Sequence, residues 1–454
     1  MYRFISLIGT IVILGVAFLM SNNKRRISFR VVVWGTMLQV FFAFLVIPNS
    51  PLNQFVKSAF GLRAAPGEVF FNTMNDVIIR LLSFTADGSK FIFGNLIGNN
   101  VPIGIGDPAT NMPAKQVAGY VAMTGAYFAF SVLPTIIFFS ALMSVLYHLG
   151  IMQRVVAFVA WIMERCMGTS GAETLSASAN IFLGQTEAPL TVRPFIEEMT
   201  MSEIMCVMCA GFATVAGGVM AAYVGMLKDY FPDIAGHLLT ASIMSAPAAI
   251  VMAKLIYPET EVPKTKGGVR IHLPKTCANL IDAAASGAAT GLQLALNVGA
   301  MLLAFIALVS MANYGVEKIG ALCNLIFGTS LQINLQILFG YAFAPFCWIM
   351  GVPWVDCMNI GTLLGERLAI NEFVAYLHLA DFAAKGIHLQ HRSYVIVTYA
   401  LCGFANFSSI AIQIGGIGGM APSRRHDLAK LGLKAMFGGL LASYMTGTIA
   451  GMFV

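Results

Sequence analysis

The chain is predicted to be an all-α polytopic membrane protein, because three features of its sequence agree. Hydrophobic residues make up 58% of its 454 residues and charged residues only 11%, against roughly 25% in soluble domains. Apolar segments recur at lengths near the roughly 20 residues with which a helix crosses the hydrocarbon layer. Basic residues gather in short loops between them, as the positive-inside rule predicts. The net charge of +6 therefore reflects membrane topology and does not indicate nucleic-acid binding.

Eight apolar segments are predicted to cross the membrane. They are Phe4–Met20, Val31–Ile47, Val117–Leu149, Ile204–Met226, Ile234–Ile256, Leu292–Met311, Tyr394–Met420 and Leu431–Val454. The first ends in Asn23-Lys24-Arg25-Arg26, on the wrong side for a signal peptide, so it is expected to be an anchor. If both termini lie outside the cell, the basic clusters after spans one and five and at the start of span eight all face the cytoplasm. The predicted location is a cell membrane.

Three further regions do not fit as crossings. An amphipathic stretch at Val77–Leu96 followed by a Gly-, Pro- and Asn-rich run from Gly98 to Pro113 predicts an interfacial helix and an external loop. Residues 171–199 and 352–385 are too polar at the centre for a span and too apolar at the flanks for a loop. Each is predicted to form a re-entrant hairpin of two short helices, whose tip lies in a protein-lined or water-filled cavity.

Both hairpin tips carry a glutamate, Glu187 and Glu372. The tip sequences are Gly184-Gln185-Thr186-Glu187-Ala188-Pro189 and Asn371-Glu372-Phe373. A charged side chain near the bilayer centre costs roughly 2.5–3.5 kcal/mol on insertion scales, so each glutamate is a hypothesis for a functional site. The alternative is that each caps a helix or pairs with a nearby arginine, Arg193 or Arg367. The symmetric positions of the two glutamates favour function.

The hairpins belong to an internal repeat. The first is followed by a span interrupted at residues 213–219 and the second by a span interrupted at residues 404–409, and an intact span follows each. One further crossing separates the copies, so the second enters from the opposite face. An inverted repeat with paired broken helices indicates a secondary transporter whose site lies at the midplane.

This repeat predicts four parts of the chain. They are 1–150, N-terminal scaffold helices and an interfacial helix; 151–260, the first transport-domain repeat; 261–351, interfacial helices and scaffold span six; and 352–454, the second transport-domain repeat.

Three motifs, in this order, resemble those of the concentrative nucleoside transporters. They are Gly184-Gln185-Thr186-Glu187-Ala188-Pro189, Asn371-Glu372-Phe373-Val374-Ala375-Tyr376 and Phe404-Ala405-Asn406-Phe407-Ser408-Ser409. The resemblance covers nearly the whole chain, and the layout is similar to that of the eight-span bacterial members, which implies the bacterial inner membrane as the location. It implies a symporter for nucleosides of the uridine, cytidine and adenosine class, with no enzymatic activity and no cofactor, assembled as a homotrimer.

The resemblance also implies which residues bind. The nucleobase would contact Gln185, Thr186, Glu187, Val219 and Phe404, and the ribose would contact Glu372, Asn406 and Ser409. A sodium ion would be held by the Asn180 side chain, the Leu183 carbonyl, the Thr214 hydroxyl and the Val215 carbonyl. Some bacterial relatives use protons and have another residue in place of this asparagine, so Asn180 favours sodium over the alternative, proton coupling.

Two other functions fit the sequence less well than nucleoside transport. A hairpin-type carrier of another small polar or anionic solute would require cationic groups at the tips, which are acidic here. An intramembrane hydrolase would use a serine or carboxylate with a histidine, and neither tip motif contains a histidine. The sequence does not choose among nucleosides.

Overall fold

The described part of the chain folds into a helical bundle with one antiparallel pair of strands. The computed structural model describes residues 1–48, 50–98, 100–105, 115–123, 128–267, 277–327 and 333–454. In this part the elements are α1 (Tyr2–Leu19), α2 (Phe29–Val46), α3 (Pro51–Phe60), α4 (Pro66–Phe93), β1 (Asn100–Ile105), β2 (Lys115–Met123), α5 (Leu133–His148), α6 (Ile151–Met167), α7 (Gly171–Ala179), α8 (Met201–Ala213), α9 (Gly217–Leu227), α10 (Ile234–Ile256), α11 (Leu280–Phe327), α12 (Leu335–Ile349), α13 (Trp354–Ala369), α14 (Glu372–Ala384), α15 (His391–Leu401), α16 (Phe407–Met420) and α17 (Arg425–Gly451).

Six segments of the described chain are long and apolar enough to cross a membrane. They are Tyr2–Leu19, Phe29–Val46, Phe128–His148, Met201–Leu227, Ile234–Ile256 and Leu280–Ile326. They correspond to the first six predicted spans, and α10 has the predicted boundaries. Predicted spans seven and eight correspond to α15 with α16 and to α17, which are not among the six. A membrane protein of several apolar helices is confirmed, and the count of eight crossings stays a prediction.

The predicted third span begins too early. Residues 115–123 form β2, which pairs antiparallel with β1 with Val101 opposite Ala122. The helical part starts at Phe128 as a short π-helical turn that continues into α5. The predicted segment was longer than the roughly 20 residues a crossing needs, and its N-terminal part pairs as a strand instead.

The predicted interfacial helix is longer than expected. Helix α4 buries one stripe of its surface, with residues spaced three or four apart: Gly67, Phe71, Asn75, Ile78, Leu82, Thr85 and Ser89. This spacing is that of an amphipathic helix lying on a protein surface. Of the predicted loop from Gly98 to Pro113, residues 100–105 are β1, and residues 99 and 106–113 lie outside the described residues.

Two helical hairpins and two interrupted helices form the centre of the protein. The first hairpin, residues 171–198, joins α7 to a 3₁₀ segment at Ala188–Glu198. The second joins α13 to α14 through a turn at residues 370–371. The first interruption lies between α8 and α9 at residues 214–216, and the second between α15 and α16 at residues 402–406. Both arrangements follow the predicted repeat, and re-entry of the hairpins into a membrane stays a prediction.

The two interruptions are in contact with each other. Gly403 has a φ of +148°, which side chains other than glycine rarely adopt. A Cβ atom there would lie 2.6 Å from the carbonyl oxygen of Phe212, at the end of α8. The second interruption lies at residues 402–406 and so begins before the predicted motif at 404–409. Its start includes Gly403 because the end of α8 leaves no room there for a side chain.

Helices α5 and α11 form a closely packed pair beside this centre. Cβ atoms at Gly287 and Gly291 of α11 would lie 2.8 Å and 2.7 Å from the Cα atoms of Ala141 and Ile137 in α5. Glycines four residues apart allow two helix backbones to approach in this way. Helix α11 also extends well beyond the predicted sixth span at Leu292–Met311.

A buried charged network fixes the base of the first hairpin. Ser170 with Glu173 and Thr200 with Glu203 form capping boxes at the starts of α7 and α8. Lys254 of α10 forms an ion pair with Glu173 at 2.7 Å, and their side chains are only 6% and 1% exposed. Because charges so buried need their partners, the network holds α7, α8 and α10 together.

We expect Lys254→Met to lower the stability of the protein strongly. Removing one partner of a buried ion pair leaves an uncompensated charge and costs about 3–5 kcal/mol. Lys264→Met is the matched control, because Lys264 pairs with Glu198 at 3.0 Å with side chains 65% and 56% exposed, and such pairs contribute about 0–1 kcal/mol. Thermal unfolding of the purified protein in detergent would measure both. Equal unfolding temperatures for the two variants would contradict this role of the network.

Candidate functional site

Both hairpin tips and both interruptions line one cavity of about 160 Å³. Its walls come from the first tip (Gly184, Gln185, Thr186, Glu187), the first broken helix (Ala216, Val219), the second tip (Asn371, Glu372, Phe373), the second broken helix (Phe404, Asn406, Ser408, Ser409, Ile412) and α11 (Leu294, Val298, Met301, Leu302). The structure therefore brings together all eight residues that the sequence predicts for nucleobase and ribose. A concave site with a few convergent polar groups on apolar walls is typical of small-molecule binding.

Glu372 lies at the second tip and is held by two side-chain hydrogen bonds. It is the first residue of α14, and the Asn371 side chain caps that helix by accepting a bond from the Val374 N–H at 2.9 Å. The Glu372 carboxylate is buried and accepts bonds from the Tyr223 hydroxyl at 3.1 Å and the Asn406 amide at 3.0 Å. Arg367 lies outside the 4 Å ion-pair distance from it, so Glu372 is held by hydrogen bonds and the alternative of an ion pair is not realised in the described chain.

Asn406 connects Glu372 to the second broken helix. Its side-chain oxygen accepts the Ser409 N–H at 2.9 Å and caps the start of α16. Its amide nitrogen then faces Glu372, because an amide has one accepting and one donating end. The same cap orients Ser409, which lies in the first turn of α16 and is buried. One asparagine thus caps the start of a helix and positions a carboxylate.

The first hairpin tip is hydrogen-bonded to the second broken helix near Glu372 and Asn406. The Gln185 side chain donates to the Ser409 hydroxyl at 3.3 Å and accepts from Gln413 at 3.1 Å. Gln413 also donates to the Met208 carbonyl at 3.2 Å, so it connects α16 to α8. The tips of the two hairpins are therefore joined through α16 by a chain of polar side chains.

Glu187 stabilises its own turn. Its carboxylate accepts the Gly184 N–H at 3.3 Å, which closes the tip. Among the described ion pairs none joins Glu187 to Arg193. Glu187 also lines a second cavity of about 300 Å³ beyond the tip, which reaches Tyr147 and Gln153. The hydrogen bond of Glu187 is thus confined to its own turn, and its partly exposed side chain borders both cavities.

Several residues of the site lie outside the sequence motifs. Tyr223 lies four residues after Val219 on α9, and Gln413 lies four residues after Ser409 on α16. Residues four apart share one helix face, so this spacing could have identified both. The apolar wall from α11 gave no signal of its own, because Leu294, Val298 and Met301 resemble any transmembrane helix face.

The residues predicted for a cation lie between the first hairpin and the first broken helix. Asn180 is 0% exposed and donates to the Ser176 carbonyl at 3.1 Å, while its side-chain oxygen is buried without a hydrogen-bond partner in the described residues. The Phe182 carbonyl accepts the Gly217 N–H at 3.0 Å and attaches the hairpin to the start of α9. Thr214 and Val215 are buried in the interruption, and Leu183 is partly buried. The unpaired amide oxygen requires a donor or a cation.

This arrangement is that of a helical membrane protein with a central cavity lined by polar groups. Three family models match the chain: the Na⁺-dependent nucleoside transporter N-terminus at residues 8–61, a nucleoside recognition domain at 129–230 and the Na⁺-dependent nucleoside transporter C-terminus at 237–451. The chain belongs to the family of Na⁺-dependent, or concentrative, nucleoside transporters. This is a family of transporters and not of enzymes.

Individual relatives cover the whole chain. It is 42% identical to an uncharacterized transporter of Haemophilus influenzae over 99% of this chain and 97% of the other. It is 36% identical to the mouse sodium/nucleoside cotransporter 1 over 99% of this chain and 64% of that longer protein. Among solved structures, CNTnw in an inward-facing substrate-bound state matches with a TM-score of 0.83, at 38% identity over 100% of this chain and 98% of the other.

Proposed function

We propose that this protein is a sodium-coupled nucleoside importer. The observation that carries the proposal is a single cavity in which both hairpin tips and both helix interruptions present amides, hydroxyls and carboxylates. The family and its relatives, which include sodium/nucleoside cotransporters, support the same substrate. The direct test is uptake of radiolabelled uridine by proteoliposomes with an inward sodium gradient. Absence of uptake of uridine, cytidine and adenosine would overturn the proposal.

The ribose side of the cavity is proposed to be Glu372, Asn406 and Ser409. A carboxylate has about four lone-pair positions, and Tyr223 and Asn406 use two of those on Glu372. The remaining positions can accept the two hydroxyls of a vicinal diol. The nucleobase would then lie toward Gln185, Thr186 and Glu187, between the apolar side chains of Val219 and Phe404, where an amide and a hydroxyl can match donors and acceptors of a base edge.

The proposed ion site consists of Asn180, Leu183, Thr214 and Val215. Its support is the buried amide oxygen of Asn180, which has no hydrogen-bond partner in the described residues. The Thr214 hydroxyl donates to the Ala210 carbonyl at 3.0 Å, which leaves its oxygen free to accept. Oxygen ligands from an interrupted helix suit a hard monovalent cation. The second candidate, proton coupling, would not provide a ligand for this amide oxygen.

The proposed movement is a rigid displacement of residues 151–260 and 352–454 along a scaffold of residues 1–150 and 261–351. The contacts of the cavity favour this division. The polar side chains that line it hydrogen-bond within the two transport repeats, whereas α11 contributes only the apolar side chains of Leu294, Val298, Met301 and Leu302. The transport repeats can slide along this apolar wall without breaking hydrogen bonds to it.

We also propose an assembly and an orientation. Helix α11 is the least covered of the six apolar segments, with 11% of its most apolar window buried, which leaves its surface for lipid or for a neighbouring subunit. A homotrimer built largely through α11, with both termini extracytoplasmic, fits the family. Chemical cross-linking of the purified protein would test the number of subunits.

We expect Glu372→Gln to reduce uridine uptake by about tenfold or more. An amide keeps one acceptor and introduces a donor, so one hydroxyl of the diol loses its partner, at about 1–3 kcal/mol. The same contact can be tested by changing the substrate. In the wild-type protein, 2′,3′-dideoxyuridine and free uracil should inhibit the uptake of labelled uridine much less than unlabelled uridine does. Wild-type uptake by the variant would remove Glu372 from the ribose site.

We expect Gln185→Ala to change the ranking of nucleobases more than the response to sugar analogues. The bonds to Ser409 and Gln413 use one amide hydrogen and one lone pair of Gln185, so its loss removes the remaining donor and acceptor from the proposed base contact. Competition of uridine uptake by cytidine, adenosine and 2′-deoxyuridine would measure both rankings. A changed sugar ranking with an unchanged base ranking would reverse the proposed roles of the two tips.

We expect Asn180→Ala to raise the sodium concentration needed for half-maximal uptake, with partial recovery at saturating sodium. By linkage, sodium and nucleoside must raise each other's affinity by the same factor, so uridine affinity at fixed sodium should also fall. Uptake in choline buffer under an imposed pH gradient is the control. Full activity there would favour the proton and leave nucleoside transport intact.

A further inference from the structure

Arg367 is the largest fully buried side chain of the described residues, with an exposed fraction of 0%. It lies in the last turn of α13, shortly before the second hairpin tip. One guanidinium nitrogen donates to the Ala400 carbonyl near the end of α15, and another donates to the Ser443 hydroxyl of α17 at 2.9 Å. The guanidinium carbon lies 5.8 Å from the centre of the Tyr444 ring.

No carboxylate of the described residues lies within ion-pair distance of Arg367. Its neighbour Glu366 faces His378 at 2.8 Å, and Glu372 takes its bonds from Tyr223 and Asn406. A buried charge without a counter-charge is costly. Arg367 instead lies in the last turn of α13, and its guanidinium donates to the Ala400 carbonyl near the end of α15. It is therefore close to the negative ends of both helices, where a cation is favoured.

The first repeat has the same construction without an arginine. Asn180 lies at the end of α7, the first arm of its hairpin, and Thr214 lies at the end of α8, the first half of its broken helix. The C-terminal ends of α7 and α8 therefore both contribute to the proposed ion site. None of its four residues is positively charged, and the side-chain oxygen of Asn180 is buried there without a partner in the described residues.

We propose that Arg367 is the built-in cation of the second repeat, in the position that the coupling cation occupies in the first. The inference rests on the proposed function, because it assigns the mobile cation to the first repeat alone. Arg367 then acts as a positioning residue. It fixes the end of α13 to α15 and α17, and thereby sets the turn at residues 370–371 that presents Glu372 to the ribose.

The test compares Arg367→Met with Arg392→Met in proteoliposomes. Arg392 is the matched control because it lies at the other end of α15 and likewise donates to a carbonyl, that of Gly351 at 2.8 Å, and to a serine hydroxyl, that of Ser6 at 2.9 Å. The measurement is the ratio of the apparent affinities for uridine and 2′,3′-dideoxyuridine. It reports recognition of the ribose and is not changed by the amount of folded protein.

We expect Arg367→Met to lower this ratio by about tenfold, or about 1.4 kcal/mol, with partial recovery in millimolar guanidinium ion, and Arg392→Met to leave it unchanged. An unchanged ratio in a folded Arg367→Met protein would overturn the proposal. If that variant does not fold, the ratio of labelled sodium to uridine taken up by the unchanged protein decides. One sodium per uridine supports a fixed cation in the second repeat, and two sodium ions overturn it. Absence of any uridine uptake would instead reject the proposed function.

Discussion

The site depends on one constraint: every helix end inside an apolar bundle must find partners for its free backbone groups. In lipid no water can supply them, and this chain interrupts two helices and turns two hairpins at its centre. The residues that satisfy these ends are also the residues of the site. Asn371 and Asn406 cap α14 and α16, and Glu187 closes the first tip. A helix end in this protein is therefore both a structural cost and a source of polar groups for a solute.

This double use explains why the polar groups are so well oriented. Asn406 cannot rotate its amide without losing the cap on α16, so its nitrogen stays directed at Glu372. Gln413 similarly bonds both Gln185 and the Met208 carbonyl. Binding groups that are already fixed lose little conformational freedom when a solute arrives, which is how preorganisation improves affinity.

Hydropathy predicted the six apolar segments, and the tip motifs with the repeat predicted the nucleobase and ribose residues, which the structure places in one cavity. Hydropathy and the tip motifs are local in sequence, and the repeat is recognised because its two copies share them. The sequence failed where the outcome depends on a partner. Residues 115–123 are apolar enough for a helix and form a strand because β1 lies beside them. Tyr223 and Gln413 gain their roles only when α9 and α16 meet the tips. Gly403 is required by the close approach of the Phe212 carbonyl, which the local sequence does not predict.

The distribution of polar and apolar contacts also constrains how the protein can move. The bonds from Gln185 to Ser409 and from Tyr223 to Glu372 join the two repeats to each other, so separating the repeats would break hydrogen bonds in a medium that offers no replacements. The wall from α11 is apolar at the cavity, and α11 itself is bound to α5 through close glycine contacts. The proposed displacement of the joined repeats along this pair would exchange one apolar contact for another and would break no hydrogen bond at the α11 wall. In that proposal the cavity would move together with the hairpins.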